Sequence, residues 1–267
     1  MSTSNNDVSV LFLQGGPGLS SQFERSQLGD IATVDWWDPP FLTAPSSAPS
    51  ALTRLYAAVE AKFDAMRARR DGPIHLLSSS FGCHLALHLI RRSGPGVASL
   101  TMLAPSLDIP ACYLRLARHL HQQHPQPALR AAIEGFEAQV DLPNFWTLAG
   151  AVMTVPDFAR SYWSGKARKQ GEQFATLLAD AATFHPPSFQ AILNDFLAHP
   201  RPPGLLEYTG PVTAIFGDAD PLIDATEGGR LVHQYLPAAR LRTVAAGHFP
   251  HLECAPALWL PECAATP

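Results

Sequence analysis

The segment Ile74-His75-Leu76-Leu77-Ser78-Ser79-Ser80-Phe81-Gly82 runs from apolar residues through small ones to a glycine. Ser80 has a small residue two positions before it and Gly82 two positions after it. That spacing suits a serine on a sharp turn between a strand and a helix, where bulkier flanks would clash. A hydroxyl in that place becomes a nucleophile only if a base lies beside it and a third group orients the base. Among the 11 histidines, His248 stands apart in Ala246-Gly247-His248-Phe249-Pro250-His251, because Gly247 permits a tight turn after a C-terminal strand. His251 is the nearest rival. For the orienting acid, Ala214-Ile215-Phe216-Gly217-Asp218-Ala219-Asp220-Pro221 ends a strand in carboxylates, and Asp220 is favoured. Asp218 and Asp224 are expected in turn or cap roles, and Asp108 is a second place from which an acid can reach the histidine.

Leu13-Gln14-Gly15-Gly16-Pro17-Gly18 adds a glycine-rich turn after the first strand. Such a turn brings a backbone N–H to a developing oxyanion, and the amides of Gly16 and Phe81 are the expected pair of donors. The spacing of a dinucleotide-binding or phosphate-cradling loop is absent.

The elements that position these residues follow from periodicity. Val8 to Leu13, Thr33 to Trp37, Ile74 to Leu77, Val97 to Leu103, Val212 to Phe216 and Arg240 to Val244 are short apolar or β-branched runs that predict strands. Helices are predicted over Ala51 to Arg70, Phe81 to Arg92 and Ala225 to Leu236. In the first of these, Leu52, Leu55, Tyr56, Val59, Phe63 and Met66 recur at helical spacing, with Ser50 as N-cap and Asp71-Gly72-Pro73 as the stop. Alternating strands and helices imply a parallel sheet covered on both faces. The Pro/Ser-rich stretch Pro39 to Ser50 predicts a loop.

From Leu107 to Tyr208 the alternation breaks. Helical patterns run over Pro110 to His121, Pro127 to Val140 and Gln170 to Ala182, and the segment carries half of the chain's aromatic residues. The expected organisation is a core domain of residues 1–106 and 209–267, with residues 107–208 inserted as a helical lid. Phe145 and Trp146 in the lid, and Trp36 and Trp37 at the end of the second strand, are candidate substrate-binding residues.

Composition narrows the function classes. A net charge of −4 over 267 residues argues against nucleic-acid binding. The basic run Arg67-Ala68-Arg69-Arg70 fits the end of a helix, where it complements the dipole. No run of about 20 apolar residues is present to span a bilayer. Met1 to Asp7 is polar and unlike a signal peptide. Cys83, Cys112, Cys254 and Cys263 are scattered without a C-x-x-C pair, which speaks against a disulfide framework or zinc site. The expectation is a cytoplasmic protein, monomeric or homodimeric, acting on a small molecule without membrane or nucleic-acid partners. His84 and His88 lie four apart without an evident third ligand, and His119, His121 and His124 are expected at the surface, so no metal site is expected.

Taken together, these segments resemble the α/β-hydrolase superfamily. Gln14-Gly15-Gly16-Pro17-Gly18 is similar to the His-Gly-Gly-Pro-Gly segment of its proline iminopeptidase-like branch, and Ser78-Ser79-Ser80-Phe81-Gly82 to its nucleophile elbow. Gly217-Asp218-Ala219-Asp220 resembles the acid loop and Gly247-His248-Phe249-Pro250 the histidine loop. The resemblance implies an α/β-hydrolase fold, a mostly parallel sheet flanked by helices with an inserted helical lid. It also implies a serine hydrolase that uses no metal or organic cofactor. Departures are specific: Gln14 replaces the branch's histidine, Ser78 replaces a glycine, and Asp35-Trp36-Trp37-Asp38-Pro39-Pro40 stands where aminopeptidases of the branch carry an arginine-glycine loop. In those enzymes a substrate amine must be held, and Glu134, Glu137 and Glu172 of the lid are candidates, although solvated helix faces explain them equally well.

The expected chemistry is cleavage of an ester, thioester or amide of a small to medium apolar substrate through an acyl-enzyme on Ser80. The alternatives are acyl transfer or carbon–carbon cleavage with the same residues, and a non-catalytic ligand-binding module on the same fold.

Overall fold

The computed structural model describes residues 9–29, 31, 33–42, 49–69, 72, 74–199 and 204–261. The polar segment Met1 to Asp7, Val8, residues 43–48 of the Pro39 to Ser50 loop, Arg70, Asp71, Pro73 and Cys263 lie outside the described residues.

The first half of the chain runs β1 (Val10–Leu13), α1 (Gln22–Leu28), β2 (Val34–Trp37), α2 (Ala51–Arg69), β3 (Ile74–Ser79), α3 (Gly82–Ser93) and β4 (Val97–Leu103). Five helices follow without an intervening strand: α4 (Ile109–Gln123), α5 (Pro127–Ala138), α6 (Leu142–Met153), α7 (Arg168–Leu177) and α8 (Pro186–Ala198). The alternation then resumes with β5 (Val212–Gly217), α9 (Ala225–Tyr235), β6 (Arg240–Val244) and α10 (Pro250–Glu253). The predicted strands are all present, and β4 and β6 have the predicted bounds. Helices α1, α6 and α8 were not singled out by periodicity. The reason is physical: α1 is only 7 residues long, and α6 (LPNFWTLAGAVM) is apolar on most of its faces.

The six strands form one sheet in the order β2-β1-β3-β4-β5-β6, and all five neighbouring pairs are parallel. Side-chain alternation along β1 divides its residues between the faces. Leu11 and Leu13 join a large cluster with α2, α3 and α9, while Val10 and Phe12 join a smaller one with Leu77, Ile215 and Trp259. The six apolar positions expected along α2 are all buried, and Ser50 Oγ accepts the Thr53 N–H at 3.3 Å as an N-cap.

The helical insertion is not packed as a separate body. Residues of α4, α5, α6 and α8 share the large cluster with the sheet, and Asp195 of α8 accepts the Leu52 N–H of α2 at 3.1 Å. Only the stretch around Ala159–Phe174 has its own aromatic cluster, which it builds with Phe23 and Phe249.

The strand order has one reversal, between β1 and β3. The chain leaves β1 toward β2 on one side and returns to β3 on the other, so the loops after β1 and β3 diverge and leave a crevice at the strands' C-terminal ends.

Candidate active site

The turn at that reversal is short. β3 ends at Ser79 and α3 begins at Gly82, so Ser80 and Phe81 alone turn the chain. Ser80 takes the left-handed region at φ +48°, a conformation that costs a non-glycine residue on the order of 1–3 kcal/mol. The turn is held by the Ser80 N–H, which donates to the Leu103 carbonyl of β4 at 2.9 Å. Gly82 is required by close approach, since a Cβ there would strike the carbonyls of Leu13 and Gln14. A Cβ on Gly15 would come within 2.8 Å of the Ser80 Cβ, so the loop after β1 presses directly on the turn. Ser78, where the family pattern has glycine, is accommodated: its hydroxyl is buried and donates toward the Thr101 carbonyl and Cys83 Sγ, each at 3.3 Å.

The structure brings the three residues proposed from sequence into one hydrogen-bonded line. Ser80 Oγ lies 2.9 Å from His248 Nε2, and His248 Nδ1 lies 2.8 Å from Asp220 Oδ2. His248 and Asp220 are buried. Asp220 Oδ1 accepts the N–H groups of Leu222 and Ile223 at 2.8 and 3.2 Å, so the other oxygen faces the imidazole. With the carboxylate accepting from Nδ1–H, Nε2 carries the lone pair and the Ser80 hydroxyl donates to it.

The rivals fall elsewhere. Asp108 caps α4 by accepting the Ala111 N–H at 3.0 Å, and Asp224 caps α9. Asp218 accepts the Ala246 N–H at 3.2 Å, which holds the histidine loop against the end of β5. His251 is fully buried beneath the loop and lies 3.5 Å from Glu24. His84 and His88 diverge, the first toward the Ser106 carbonyl at 2.9 Å and the second toward Glu60 at 2.6 Å.

Three further residues complete the site: Tyr162 of the insertion, Ser106 just after β4 and Glu253 of α10. The His248 N–H donates to the Tyr162 carbonyl at 2.6 Å, and a Cβ on Gly247 would strike that carbonyl. Ser106 follows β4, and its Oγ lies 3.0 Å from Ser80 Oγ. Glu253 of α10 accepts the N–H groups of Gly247 at 2.9 Å and Ser164 at 3.2 Å. No local motif marks Ser106 or Glu253. Their one signal is adjacency to strand ends or to the histidine, which acquires meaning only once the strand order is known.

Ser80 opens into a cavity of about 610 Å³ between the sheet's edge and the insertion. Gly16, Phe81 and His248 line it near Ser80, while Val152–Ala159, Tyr162, Phe174 and Ala175 of α7, and Phe189 roof it with largely apolar side chains. At the start of α3 the Cys83 and His84 N–H groups bond the Ser80 and Phe81 carbonyls, and the positive end of the helix dipole favours negative charge there. Gln14 stiffens the opposite loop, its side-chain amide donating to the Leu19 carbonyl. Burial pushes the Cys112 thiol up to about 12, with the Asp220 charge adding to the effect. Burial likewise raises the phenols of Tyr113 and Tyr162, so these polar groups of the wall are neutral at ordinary pH. A larger cleft of about 770 Å³ lies on the other side of the Asp218–Asp224 turn, and neither Ser80 nor His248 lines it.

Four substrate-binding expectations need correction. Trp36 and Trp37 do not line the cavity: successive strand residues point to opposite faces, so Trp36 packs on Phe12 and Trp37 joins the cluster with α2. Phe145 is buried behind Tyr113, and Trp146 bonds Asn194 at 2.6 Å with its edge toward Phe189. Both stand one layer behind the cavity wall. Glu134, Glu137 and Glu172 also lie outside the cavity, and each pairs with arginine on an exposed helix face.

A wholly parallel sheet with a strained serine, a histidine and an aspartate on three strand-end loops defines the α/β hydrolase class. The Alpha/beta hydrolase family model matches residues 10–259, and the chain belongs to this family and is a hydrolase. A proline iminopeptidase-related protein from Thermus thermophilus is similar in structure, with a TM-score of 0.65, 21% identity, and coverage of 96% of this chain and 88% of that one. A thermophilic esterase from Thermogutta terrifontis matches at TM-score 0.58 and 16% identity, covering 92% and 84% of the two chains. The enol-lactonase from Burkholderia xenovorans matches at TM-score 0.57 and 16% identity, covering 96% and 90%. At these identities the likeness establishes the fold. No curated protein matches the sequence. Among the described residues, no helix is long and apolar enough to cross a membrane.

Proposed function

We propose that this hydrolase cleaves esters of small to medium, uncharged, apolar substrates through an acyl-enzyme on Ser80. The observation that carries the reading is the Ser80–His248–Asp220 line, with bonds of 2.9 and 2.8 Å, opening into an apolar cavity. In the first step the Ser80 O–H bond breaks and its proton passes to His248 Nε2, while Oγ bonds to the carbonyl carbon. The amides of Gly16 and Phe81 receive the negative oxygen, and each donor of this kind is worth about 3 kcal/mol in the transition state. Collapse expels the alcohol, which takes the proton back from His248. Water then repeats the cycle on the acyl-enzyme, with His248 again as base and Asp220 holding its tautomer.

An ester of an uncharged acid fits the cavity better than an aminoacyl substrate. Among the described residues, the one carboxylate lining the cavity is Asp157, which is exposed and paired with Arg160 at 3.2 Å. A substrate ammonium placed among these apolar walls would stay unpaired, and an unpaired buried charge costs several kcal/mol. The volume matches a medium-sized ligand. The roof from residue 154 to 179 is the part of the insertion that serves as a lid.

The test is fluorophosphonate labelling with the adduct mapped by mass spectrometry, beside hydrolysis of p-nitrophenyl esters and of aminoacyl p-nitroanilides. The reading expects an adduct on Ser80, lost in Ser80→Ala, and turnover of the esters alone. Full ester turnover by Ser80→Ala would sink it.

A further inference from the structure

We infer that Ser106 is a hydrogen-bond donor to the reacting oxygen of Ser80, supporting that oxygen each time charge develops on it. The inference rests on the reading of Ser80 as nucleophile and adds to it a fourth residue and a direction of donation.

Proton counting sets the direction. Ser80 Oγ carries one hydrogen, and His248 Nε2, with its lone pair turned to Ser80 at 2.9 Å, takes it. The 3.0 Å contact between the two serine hydroxyls therefore has Ser106 as donor and Ser80 as acceptor. Ser106 is buried, yet it lines the cavity beside Ser80.

The placement is built rather than incidental. The neighbouring strands β3 and β4 are each followed directly by a non-glycine residue with positive φ, Ser80 at +48° and Ala104 at +43°. Two adjacent strained turns are thus needed to bring the two hydroxyls together. The second turn is tied down on both sides: the Ala104 N–H donates to the Ile215 carbonyl of β5 at 2.8 Å, and His84 Nε2–H of α3 donates to the Ser106 carbonyl at 2.9 Å. Burial pushes the His84 imidazole down to about 4, so the strap is neutral and has one donor to give. Strain held on several sides at a reacting atom points to function.

The chemistry follows without any proton leaving Ser106. As Ser80 gives its proton to His248, Oγ gains charge, and a bond donated to a charged acceptor is stronger than one to a neutral acceptor. Oγ has two lone pairs, so one attacks the carbonyl carbon while the other keeps the Ser106 bond. In deacylation Oγ is the leaving group, and the same donor stabilises it until His248 returns the proton. Both half-reactions gain, whereas an oxyanion donor acts on the carbonyl oxygen alone.

The experiment compares full-length wild type with Ser106→Ala, Ser106→Thr and Ser106→Cys. It measures the rate of fluorophosphonate labelling and the acylation and deacylation phases of p-nitrophenyl acetate hydrolysis, with thermal midpoints as a folding control. Ser106→Ala is expected to slow labelling and both phases on the order of tenfold, lowering kcat with little change in KM. Ser106→Thr, which keeps the hydroxyl, restores most of the rate. Ser106→Cys, a weaker donor of similar size, falls between and decides the matter if the alanine variant unfolds. Unchanged rates in the alanine or cysteine variant, with wild type labelled on Ser80, would overturn this inference and leave the nucleophile intact. An unlabelled wild type would overturn both.

Discussion

The carboxylate of Glu253 accepts the backbone N–H of Gly247 at 2.9 Å, one residue before the histidine that faces Ser80. Its other oxygen accepts the Ser164 N–H of the insertion at 3.2 Å. One side chain thus joins the histidine loop to the roof of the cavity. Gly247 belongs to the same device, because the roof carbonyl of Tyr162 lies where its Cβ would be.

Removing that acceptor leaves two backbone N–H groups without a protein partner. Glu253→Ala is expected to lower stability by about 1–3 kcal/mol and to reduce ester turnover, with Glu253→Gln intermediate because one carbonyl oxygen remains. Urea unfolding and kcat on a p-nitrophenyl ester measure the two effects. Unaltered turnover in a folded Glu253→Ala protein would show that the histidine loop keeps its place without the strap.

Asp220 offers three acceptor contacts, two to backbone and one to His248. An asparagine places an NH₂ where one of those donors points and forces the wrong imidazole tautomer. Asp220→Asn is expected to lower kcat by roughly 10³-fold or more. Asp108→Asn, at a helix cap where asparagine serves as well as aspartate, should leave kcat within about twofold. The reverse order of effects would reassign the acid.

Ala175 of α7 is partly buried and lines the roof of the cavity. Ala175→Trp would fill part of the space without touching the Ser80–His248–Asp220 line. Efficiency on long-chain p-nitrophenyl esters is expected to fall by on the order of tenfold or more, while the acetate is little affected. An equal loss on both esters would mean that the acyl chain lies elsewhere.

His84 sets an acid limb on stability. Its folded pKa of about 4 lies below the usual 6.5, chiefly through burial, so the unfolded chain binds more protons between those values. Its contribution is fully present above 6.5 and is lost as pH falls toward 4, roughly 3 kcal/mol across the window. His84→Gln keeps a donor for the Ser106 carbonyl and does not titrate, so its unfolding free energy should fall less steeply over that range. Parallel pH profiles for wild type and variant would show that the proton is taken up elsewhere.

What was legible in the sequence was local. The bounds of β4 and β6, the buried stripe of α2 and the turn at Ser80 all follow from residues within a few positions of one another. Gly82, Gly247 and Ser80 were readable for the same reason, since steric demands on a tight turn act on adjacent residues. The tryptophans show the limit. Being near a strand end placed Trp36 and Trp37 near the crevice, but side-chain alternation sent them to opposite faces of the sheet.

By itself, the sequence determined the order of the strands, and it put Ser80 and His248 on tight turns with a short set of candidate carboxylates, because periodicity and turn chemistry are properties of neighbouring positions. Only the tertiary structure decided which carboxylate meets His248, that Ser106 sits 3.0 Å from Ser80, and that the glutamates of the helical insertion stay outside the cavity. Asp220 and His248 are 28 positions apart, and the contact of His248 with Ser80 spans 168. These contacts depend on how the strands are ordered in the sheet and on the packing of α4–α8 over its edge, neither of which is encoded in any single stretch of chain.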